Sequence, residues 1–130
     1  MKINVSFLIC AREINSEPVI AIENKNGNYM LPTFEADDSV LDIDLFVKDK
    51  FKEFTSFDAK FKDVDGWVNL FICGTIVSSN TSSIVYACYL QETFEKDGLQ
   101  WKSISSILEN GVFEQDYTKQ TIFCFNYFSR

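Results

Sequence analysis

The sequence predicts an α/β domain, and three observations carry that prediction. Residues 39–54 repeat apolar side chains at helical spacing, which predicts one amphipathic helix. The 130 residues contain no internal repeat and no linker, so a single domain over 1–130 is expected. Runs of β-branched and apolar residues bounded by turn signals predict strands at residues 3–11, 18–23, 29–31, 64–77, 84–92 and 99–104.

The first half of the chain contains the strongest turn signals. The stretch 24–28 (Asn-Lys-Asn-Gly-Asn) joins the second and third strands, and Gly27 tolerates a positive φ. The third strand ends at Leu31-Pro32, because proline lacks an amide hydrogen to donate. An acidic stretch then leads to the helix as a loop.

The second half continues as a hairpin and a late strand. The polar segment 78–83 joins the strands 64–77 and 84–92, and a helical turn over 105–110 follows the strand 99–104. Residues 114–128 fit two patterns, since TIFCFNYF alternates as a strand does. Tyr117, Thr121, Cys124 and Phe128 lie at helical spacing, which favours a helix.

Composition excludes several classes of function. The chain has no histidine, so it has no Ser-His or Cys-His nucleophile pair and no imidazole ligand. The net charge of −7, without a basic cluster, argues against binding a nucleic acid polymer. No apolar run approaches the roughly 20 residues that span a bilayer, so no membrane partner is expected.

The four cysteines stand singly in apolar runs, without the CxxC spacing of a zinc site. Cysteine in such a run behaves as a small buried hydrophobe. We therefore expect four reduced thiols and a cytoplasmic protein, since disulfides rarely persist in the cytosol.

The predicted helix carries an acidic stripe opposite its apolar face. Ser39 and Asp42 resemble a capping box at its start, and Asp38 and Asp42 begin a stripe that continues through Asp49 and Glu53. The stripe has two interpretations: a solvated helix face, or a cation site made by Asp49 and Glu53 one turn apart.

The order of these elements resembles the Nudix hydrolase superfamily, whose signature is G-x5-E-x7-R-E-U-x-E-E-x-G-U after a Leu-Pro-Gly lead, with U a bulky apolar residue. Counted from Leu31-Pro32, the signature frame runs from Phe34 to Ser56. The resemblance covers nearly the whole chain and implies an α/β/α sandwich with a mixed β-sheet. It implies a hydrolase that cuts a diphosphate in a nucleoside diphosphate derivative, using Mg²⁺ or Mn²⁺.

The signature itself is strongly degenerate. Of its nine fixed positions only Glu53 is identical, and the Arg-Glu pair is replaced by Lys48-Asp49. Lys52 takes the place of a metal-binding glutamate, where an ammonium repels a divalent cation. Phe34 stands where the first glycine is expected and introduces a side chain into the loop.

The resemblance implies the following candidate site. Glu53 and Asp49 are the catalytic candidates and also the first metal candidates. Glu35 and Asp38 join the metal candidates when a two-residue gap is placed in the frame, and otherwise they are acidic charges that favour the helix dipole. A nucleotide would contact Tyr29, Phe34, Lys48 and Trp67. Alternatively, the three aromatic residues pack in the core or at its rim, as most aromatic side chains do.

Three functions remain open from the sequence. The first is a metal-dependent hydrolase with an impaired catalytic box. The second is a non-catalytic Nudix-like protein that senses a nucleotide or another phosphorylated ligand. The third is a protein-interaction module that uses the aromatic surface. The sequence does not fix the oligomeric state.

Overall fold

The chain folds around one mixed β-sheet with a helix on each face. The computed structural model describes residues 2–12, 17–25, 28–62, 64–77 and 81–110. Within these ranges lie, in chain order, β1 (Lys2–Ala11), β2 (Val19–Lys25), β3 (Asn28–Met30), β4 (Thr33–Ala36), α1 (Ile43–Thr55), β5 (Ala59–Lys60), β6 (Val68–Asn69), β7 (Phe71–Val77), β8 (Thr81–Leu90), β9 (Leu99–Ser103) and α2 (Ile104–Asn110).

The sheet has seven strands, with β1 near its centre. Its main path is β3-β2-β1-β8-β7, with β4 pairing β1 and β9 pairing β2. The β1–β8 pair is parallel from Lys2↔Thr81 to Ala11↔Leu90, and the other pairs of this sheet are antiparallel. Strands β5 and β6 form a separate parallel pair. The sheet is therefore mixed, as expected.

The alternation of apolar side chains along β1 separates two cores. Val5, Phe7 and Ile9 face α1, and Leu8 and Cys10 face α2, because successive side chains of a strand point to opposite faces. All five are fully buried. The long apolar run of β1 is thus explained by burial on both faces of the sheet. The arrangement is the expected α/β/α sandwich.

Helix α1 buries the face that the sequence predicts, but it begins later. Val47, Phe51 and Phe54 are buried against the sheet. The N-cap is Asp42, whose Oδ1 accepts the backbone N–H of Leu45 at 3.2 Å. The predicted start at Ser39 is wrong, because Ser39 donates its backbone N–H to Oδ1 of Asp37 at 2.8 Å and so belongs to a turn.

The hydrogen bonds of this turn also affect the carboxyl group of Asp37. The hydroxyl of Ser39 donates to the same Oδ1 as its backbone N–H. The two bonds from Ser39, the side-chain bond first, lower the pKa of Asp37. The preference of Ser39 for Asp37 is the local reason that it does not cap the helix.

The segment after Leu31-Pro32 was predicted as a loop and is a strand. Strand β4 pairs antiparallel with β1, from Ser6↔Thr33 to Ile3↔Ala36. The pairing begins at the proline, whose carbonyl accepts the N–H of Phe7 at 2.9 Å. Leu31 is fully buried in the α2-side core. The Leu-Pro pair therefore anchors the turn between β3 and β4 on the central strand.

Other elements follow the sequence with adjusted bounds. The predicted strand 64–77 is divided into β6 and β7, while β8, β9 and α2 lie where they were expected. Cys10, Cys73 and Cys88 lie in strands, and none of the three is in a disulfide. The predicted helix over 114–128 and Cys124 fall outside the described residues. Neither helix in the described ranges has the length and apolar character needed to cross a membrane.

Candidate functional site

Glu53 lies at the edge of a cavity of about 550 Å³, here called the Glu53 cavity. One wall is the carboxyl-terminal half of α1, and the others come from β2, β4 and the connection from β8 to β9. The described residues that line it are Glu23, Asn24, Thr33, Phe34, Glu53, Phe54, Lys96, Asp97, Gly98 and Leu99.

Glu53 is held by a neighbour on its own helix. Its Oε2 accepts a hydrogen bond from Nζ of Lys50 at 3.3 Å, and Lys50 lies one turn earlier on α1. The side chain of Glu53 is 67 % exposed, so this ion pair is a solvated one. Pairs of this kind contribute about 0–1 kcal/mol and break easily. The carboxylate is therefore available to a ligand in the cavity.

Lys52 points away from this cavity and toward the segment that follows α1. Its Nζ lies 2.8 Å from Oδ1 of Asp58. Lys52 is the residue that replaces a metal-binding glutamate in the signature frame. The structure accommodates its charge by pairing it with Asp58 rather than with Glu53.

Phe34 fills space with its ring where the signature has a glycine. Its centroid lies 5.7 Å from that of Phe7 and 5.9 Å from that of Phe54. The residue is half-buried and packs on the α1-side core. Phe34 thus forms part of the cavity wall, fixed by aromatic contacts on two sides.

Lys96 is the one lysine among the described lining residues. Its Nζ donates to the carbonyl of Phe54 at 3.3 Å and lies 4.8 Å from the centroid of that ring. The contact occupies the end of α1, where a cation complements the helix dipole. The ammonium is thereby positioned beside the cavity.

The structure brings only two of the sequence-predicted site residues, Glu53 and Phe34, into the described lining of this cavity. Asp49 is exposed on α1, Glu35 is exposed on β4, and Asp38 is exposed in the turn before the helix. None of these three carboxylates belongs to the described lining. Their predicted roles stay predictions.

The remaining candidates lie at separate places. Lys48 has its Nζ 5.7 Å from the ring centroid of Phe61. Tyr29, on β3, is 37 % exposed and pairs with Asn24 of β2, but it is outside the described lining of the Glu53 cavity. Trp67 lines a different cavity with Ser56, Asp58 and others. The proposed aromatic set of Tyr29, Phe34 and Trp67 is therefore not a cluster around one cavity.

Sequence reasoning missed the walls that come from β2 and from the β8–β9 connection. Glu23 and Asn24 reach the cavity because β2 pairs with β9, with Glu23 opposite Leu99. The N–H of Asn24 donates to the carbonyl of Gly98 at 3.4 Å, and Gly98 has a positive φ of 80°. The only signal of this wall in the sequence is Gly98, a residue typical of turns. Its proximity to Glu53 depends on the pairing of β2 with β9, which the sequence does not show.

The donor set that the resemblance implies is not assembled in the described part of the chain. Within those ranges no group of three or more His, Cys, Asp or Glu side chains is placed to hold a metal ion. The carboxylates that line the Glu53 cavity are Glu23, Glu53 and Asp97, and only Glu53 belongs to the signature frame. Lys52, at a ligand position of that frame, is paired with Asp58.

Comparisons with known proteins bear on the fold. No protein-family model matches the sequence, and no curated protein matches it. Among solved structures, the NUDIX domain of NrtR from Shewanella oneidensis, complexed with ADP ribose, is similar with a TM-score of 0.67 at 10 % identity, over 98 % of this chain and 88 % of that one. A C. elegans Ap4A hydrolase binary complex gives 0.65 at 9 % identity, over 99 % and 98 %.

A third similar structure is the C-terminal domain of mouse MUTYH, solved in complex with human PCNA. Its TM-score is 0.63 at 8 % identity, over 98 % of this chain and 88 % of that one. Identities this low leave the fold as the shared property, since one fold supports many functions. The chain has the Nudix-like fold that its element order predicted.

Proposed function

We propose that this protein binds a nucleoside diphosphate derivative in the Glu53 cavity and has lost the hydrolysis that the Nudix signature supports. The proposal rests on one observation: two adjacent residues of α1 have different positions and contacts. Glu53, the identical signature residue, lines the cavity, whereas Lys52 puts an ammonium at a ligand position and pairs with Asp58 at 2.8 Å.

Charge determines the form in which such a ligand binds. Three carboxylates and one ammonium line the described part of the cavity, so a bare diphosphate meets net repulsion. Magnesium is commonly bound by one or two carboxylates together with substrate phosphates. Mg²⁺ or Mn²⁺ bound with the ligand would offset this repulsion: Glu53 and the ligand's own phosphates would hold the ion, and Lys96 is the lining cation that would contact the phosphates.

The loss of hydrolysis follows from the cooperative nature of catalytic sets. Removing one member of such a set typically costs orders of magnitude in rate. Here Lys52 replaces a carboxylate, and Phe34 replaces the glycine of the adjoining loop. The protein keeps a cavity for the ligand without the complete group that would activate water.

Residual hydrolysis is the second candidate function. It is favoured by the position of Glu53, which still lines the cavity beside Asp97 and Glu23. Both candidates predict ligand binding that depends on Glu53, and they differ only in turnover.

The test uses the two ligands named with the similar structures, ADP-ribose and Ap4A. Calorimetric titration at millimolar Mg²⁺ is expected to give saturable binding of at least one of them, weaker without the metal. Glu53→Gln is expected to weaken it about tenfold, as the loss of a charged hydrogen-bond partner does. Asp44→Asn is the matched control, because it removes one negative charge from an exposed helix position outside the described lining.

Product analysis on the same samples separates the two candidates. We expect intact ligand after prolonged incubation with Mg²⁺ or Mn²⁺. Turnover that disappears in Glu53→Gln would establish residual hydrolysis instead. The absence of binding by either ligand, or equal binding by the parent protein and Glu53→Gln, would refute a nucleotide site at Glu53.

A further inference from the structure

The Glu53 cavity has two ends that are built from different elements. Its helix end holds Glu53, Phe54 and Lys96, because Nζ of Lys96 donates to the carbonyl of Phe54 at 3.3 Å. Its strand end holds Glu23, which lies opposite Leu99 where β2 pairs with β9. Glu23 is outside the signature frame, so the resemblance assigns it no role.

The side chain of Glu23 lies on the α1 side of the sheet. Along β2, Ala21 packs in the α1-side core and Ile22 in the α2-side core. Because successive side chains of a strand alternate between its faces, Glu23 lies on the same face as Ala21. Leu99, opposite Glu23, also packs against the α1-side core, as does Phe54 of the cavity lining. Glu23 therefore presents its carboxylate on the face where the cavity lies.

Glu23 is half-buried between apolar neighbours. It pairs with Leu99 of β9 on one side and with Met30 of β3 on the other. A carboxylate in such a place gives up part of its hydration, which hydrogen-bond donors must replace. A carboxylate has about four acceptor positions. Glu23 can therefore accept hydrogen bonds from a ligand in addition to its interaction within the chain.

The two ends of the cavity favour different parts of a nucleotide. The carboxylate of Glu23 has acceptors and no donor, so it attracts O–H and N–H groups and repels phosphate oxygens. The ammonium of Lys96 has donors only and attracts phosphates. The diphosphate therefore belongs at the helix end, and a neutral group with donors belongs at the strand end.

The spacing of Lys96 and Glu23 indicates which neutral group that is. The N–H of Leu99 donates to the carbonyl of Lys96 at 3.0 Å and closes a turn that includes Gly98, with a φ of 80°. Such a turn and the Leu99–Glu23 pair keep the Cα atoms of Lys96 and Glu23 within about 13 Å of each other. The two side chains can thus reach adjacent groups of one ligand. The group bonded to the diphosphate of a nucleotide is the ribose, and the base lies one group further.

We infer that Glu23 makes the Glu53 cavity specific for ribonucleotides, because its carboxylate accepts the hydroxyls of the ribose bonded to the diphosphate. The inference rests on the proposed function and adds the class of sugar to it. Carboxylates bind ribose hydroxyls in the same way in dinucleotide-binding folds. The same charge excludes a ligand that carries a 2′-phosphate on this ribose.

The experiment compares nucleotides that differ at one position, by calorimetric titration at millimolar Mg²⁺. ADP contains both the diphosphate and the ribose that the inference uses. The parent protein is expected to bind ADP about tenfold more tightly than 2′-deoxy-ADP, the loss of a hydrogen bond to a charged group. Binding of 2′-phospho-ADP is expected to be weaker still. IDP is expected to bind as ADP does, because the two differ only in the base.

Variants assign the preference to Glu23. Glu23→Gln is expected to reduce the preference for ADP over 2′-deoxy-ADP to about twofold and to admit 2′-phospho-ADP. Glu23→Asp keeps the charge on a shorter side chain, so it loses the ribose preference but still excludes the 2′-phosphate. Glu95→Gln is the matched control, because Glu95 is exposed on the β8–β9 connection outside the described lining, and both preferences stay unchanged.

Each preference is a ratio of affinities within one variant, so a folding defect that weakens all ligands equally does not alter it. Equal binding of ADP and 2′-deoxy-ADP by the parent protein, or an unchanged ratio in Glu23→Gln, would overturn the inference. A preference for ADP over IDP that disappears in Glu23→Gln would also overturn it, since the base would then lie at Glu23.

The outcome for the proposed function is read separately. If ADP-ribose or Ap4A binds and ADP does not, the inference about ribose is wrong and the proposed function stands. If ADP, ADP-ribose and Ap4A all fail to bind, the proposed function is refuted, and the inference with it.

Discussion

The ammonium of Lys52 lies 2.8 Å from Oδ1 of Asp58 and thereby ties the last turn of α1 to the segment that follows it. Both side chains are at least half exposed, at 61 % and 50 %. The contact has two consequences. It places a positive charge at a ligand position of the signature frame, and it occupies the carboxylate of Asp58, which lines a cavity together with Trp67.

The first prediction concerns the energy of this ion pair. Because both partners are solvated, the coupling free energy between Lys52 and Asp58 is expected to be below about 1 kcal/mol. A double-mutant cycle with Lys52→Met, Asp58→Asn and the double variant measures it by urea unfolding. A coupling free energy above about 2 kcal/mol would contradict this prediction, because it would mean that the pair contributes substantially to the stability of the fold.

The second prediction separates the two carboxylates that the signature frame places one turn apart. Glu53 lines the cavity and Asp49 is outside its described lining. Asp49→Asn is therefore expected to bind ADP-ribose or Ap4A as the parent protein does, whereas Glu53→Gln weakens binding. Calorimetric titration of both variants measures the difference. Equal losses would mean that Asp49 also reaches the ligand.

The third prediction concerns the start of α1. Asp42→Ala removes the oxygen that accepts the N–H of Leu45, and it is expected to cost about 1 kcal/mol of unfolding free energy. Ser39→Ala is expected to cost less, because Ser39 bonds to Asp37 in the preceding turn. Urea unfolding of the two variants compares them. A larger loss for Ser39→Ala would place the cap at Ser39.

The fourth prediction concerns the end of α1. Ser56 has a left-handed backbone with φ of 69°, and its N–H donates to the carbonyl of Lys52 at 2.8 Å. This conformation costs a residue with a Cβ about 1 kcal/mol and costs glycine little. Ser56→Gly is expected to raise the unfolding free energy by up to that amount. Ser56→Ala, which keeps the Cβ, serves as the control and should not stabilise.

The fifth prediction is a pH dependence at Cys73. Burial raises the pKa of this thiol from 9.0 to about 11. About one thiol in a thousand is then ionised at pH 8, compared with about one in ten at a pKa of 9. The rate of alkylation that is lost in Cys73→Ser is expected to be slow at pH 8 and to rise up to about pH 11.

The same pKa shift affects stability with a definite sign. The folded state holds the Cys73 proton more tightly than the unfolded state does, so its contribution is fully present below pH 9. That contribution is lost as the pH rises from about 9 to about 11. Denaturation of the parent protein and of Cys73→Ser across this range measures it, and parallel curves would contradict the shift.

The sequence by itself determined the fold and the identity of its main helix. The apolar run of β1 and the helical spacing of Val47, Phe51 and Phe54 both reflect local patterns of burial. Such patterns are readable because the periods of strands and helices differ. The Leu31-Pro32 landmark was equally readable, since proline ends β3 through its own covalent structure.

The sequence alone did not predict the start of α1, the strand β4 or the walls of the Glu53 cavity. Competing hydrogen bonds and strand pairing in the folded chain determine these features. Ser39 was misread as the cap because its bond to Asp37 competes with capping, and β4 was missed because it depends on pairing with β1. The cavity walls from Glu23 and Asp97 are remote from Glu53 in the chain. Only tertiary contacts bring such groups together, and charge then decides the partner of each: Lys50 for Glu53, and Asp58 for Lys52.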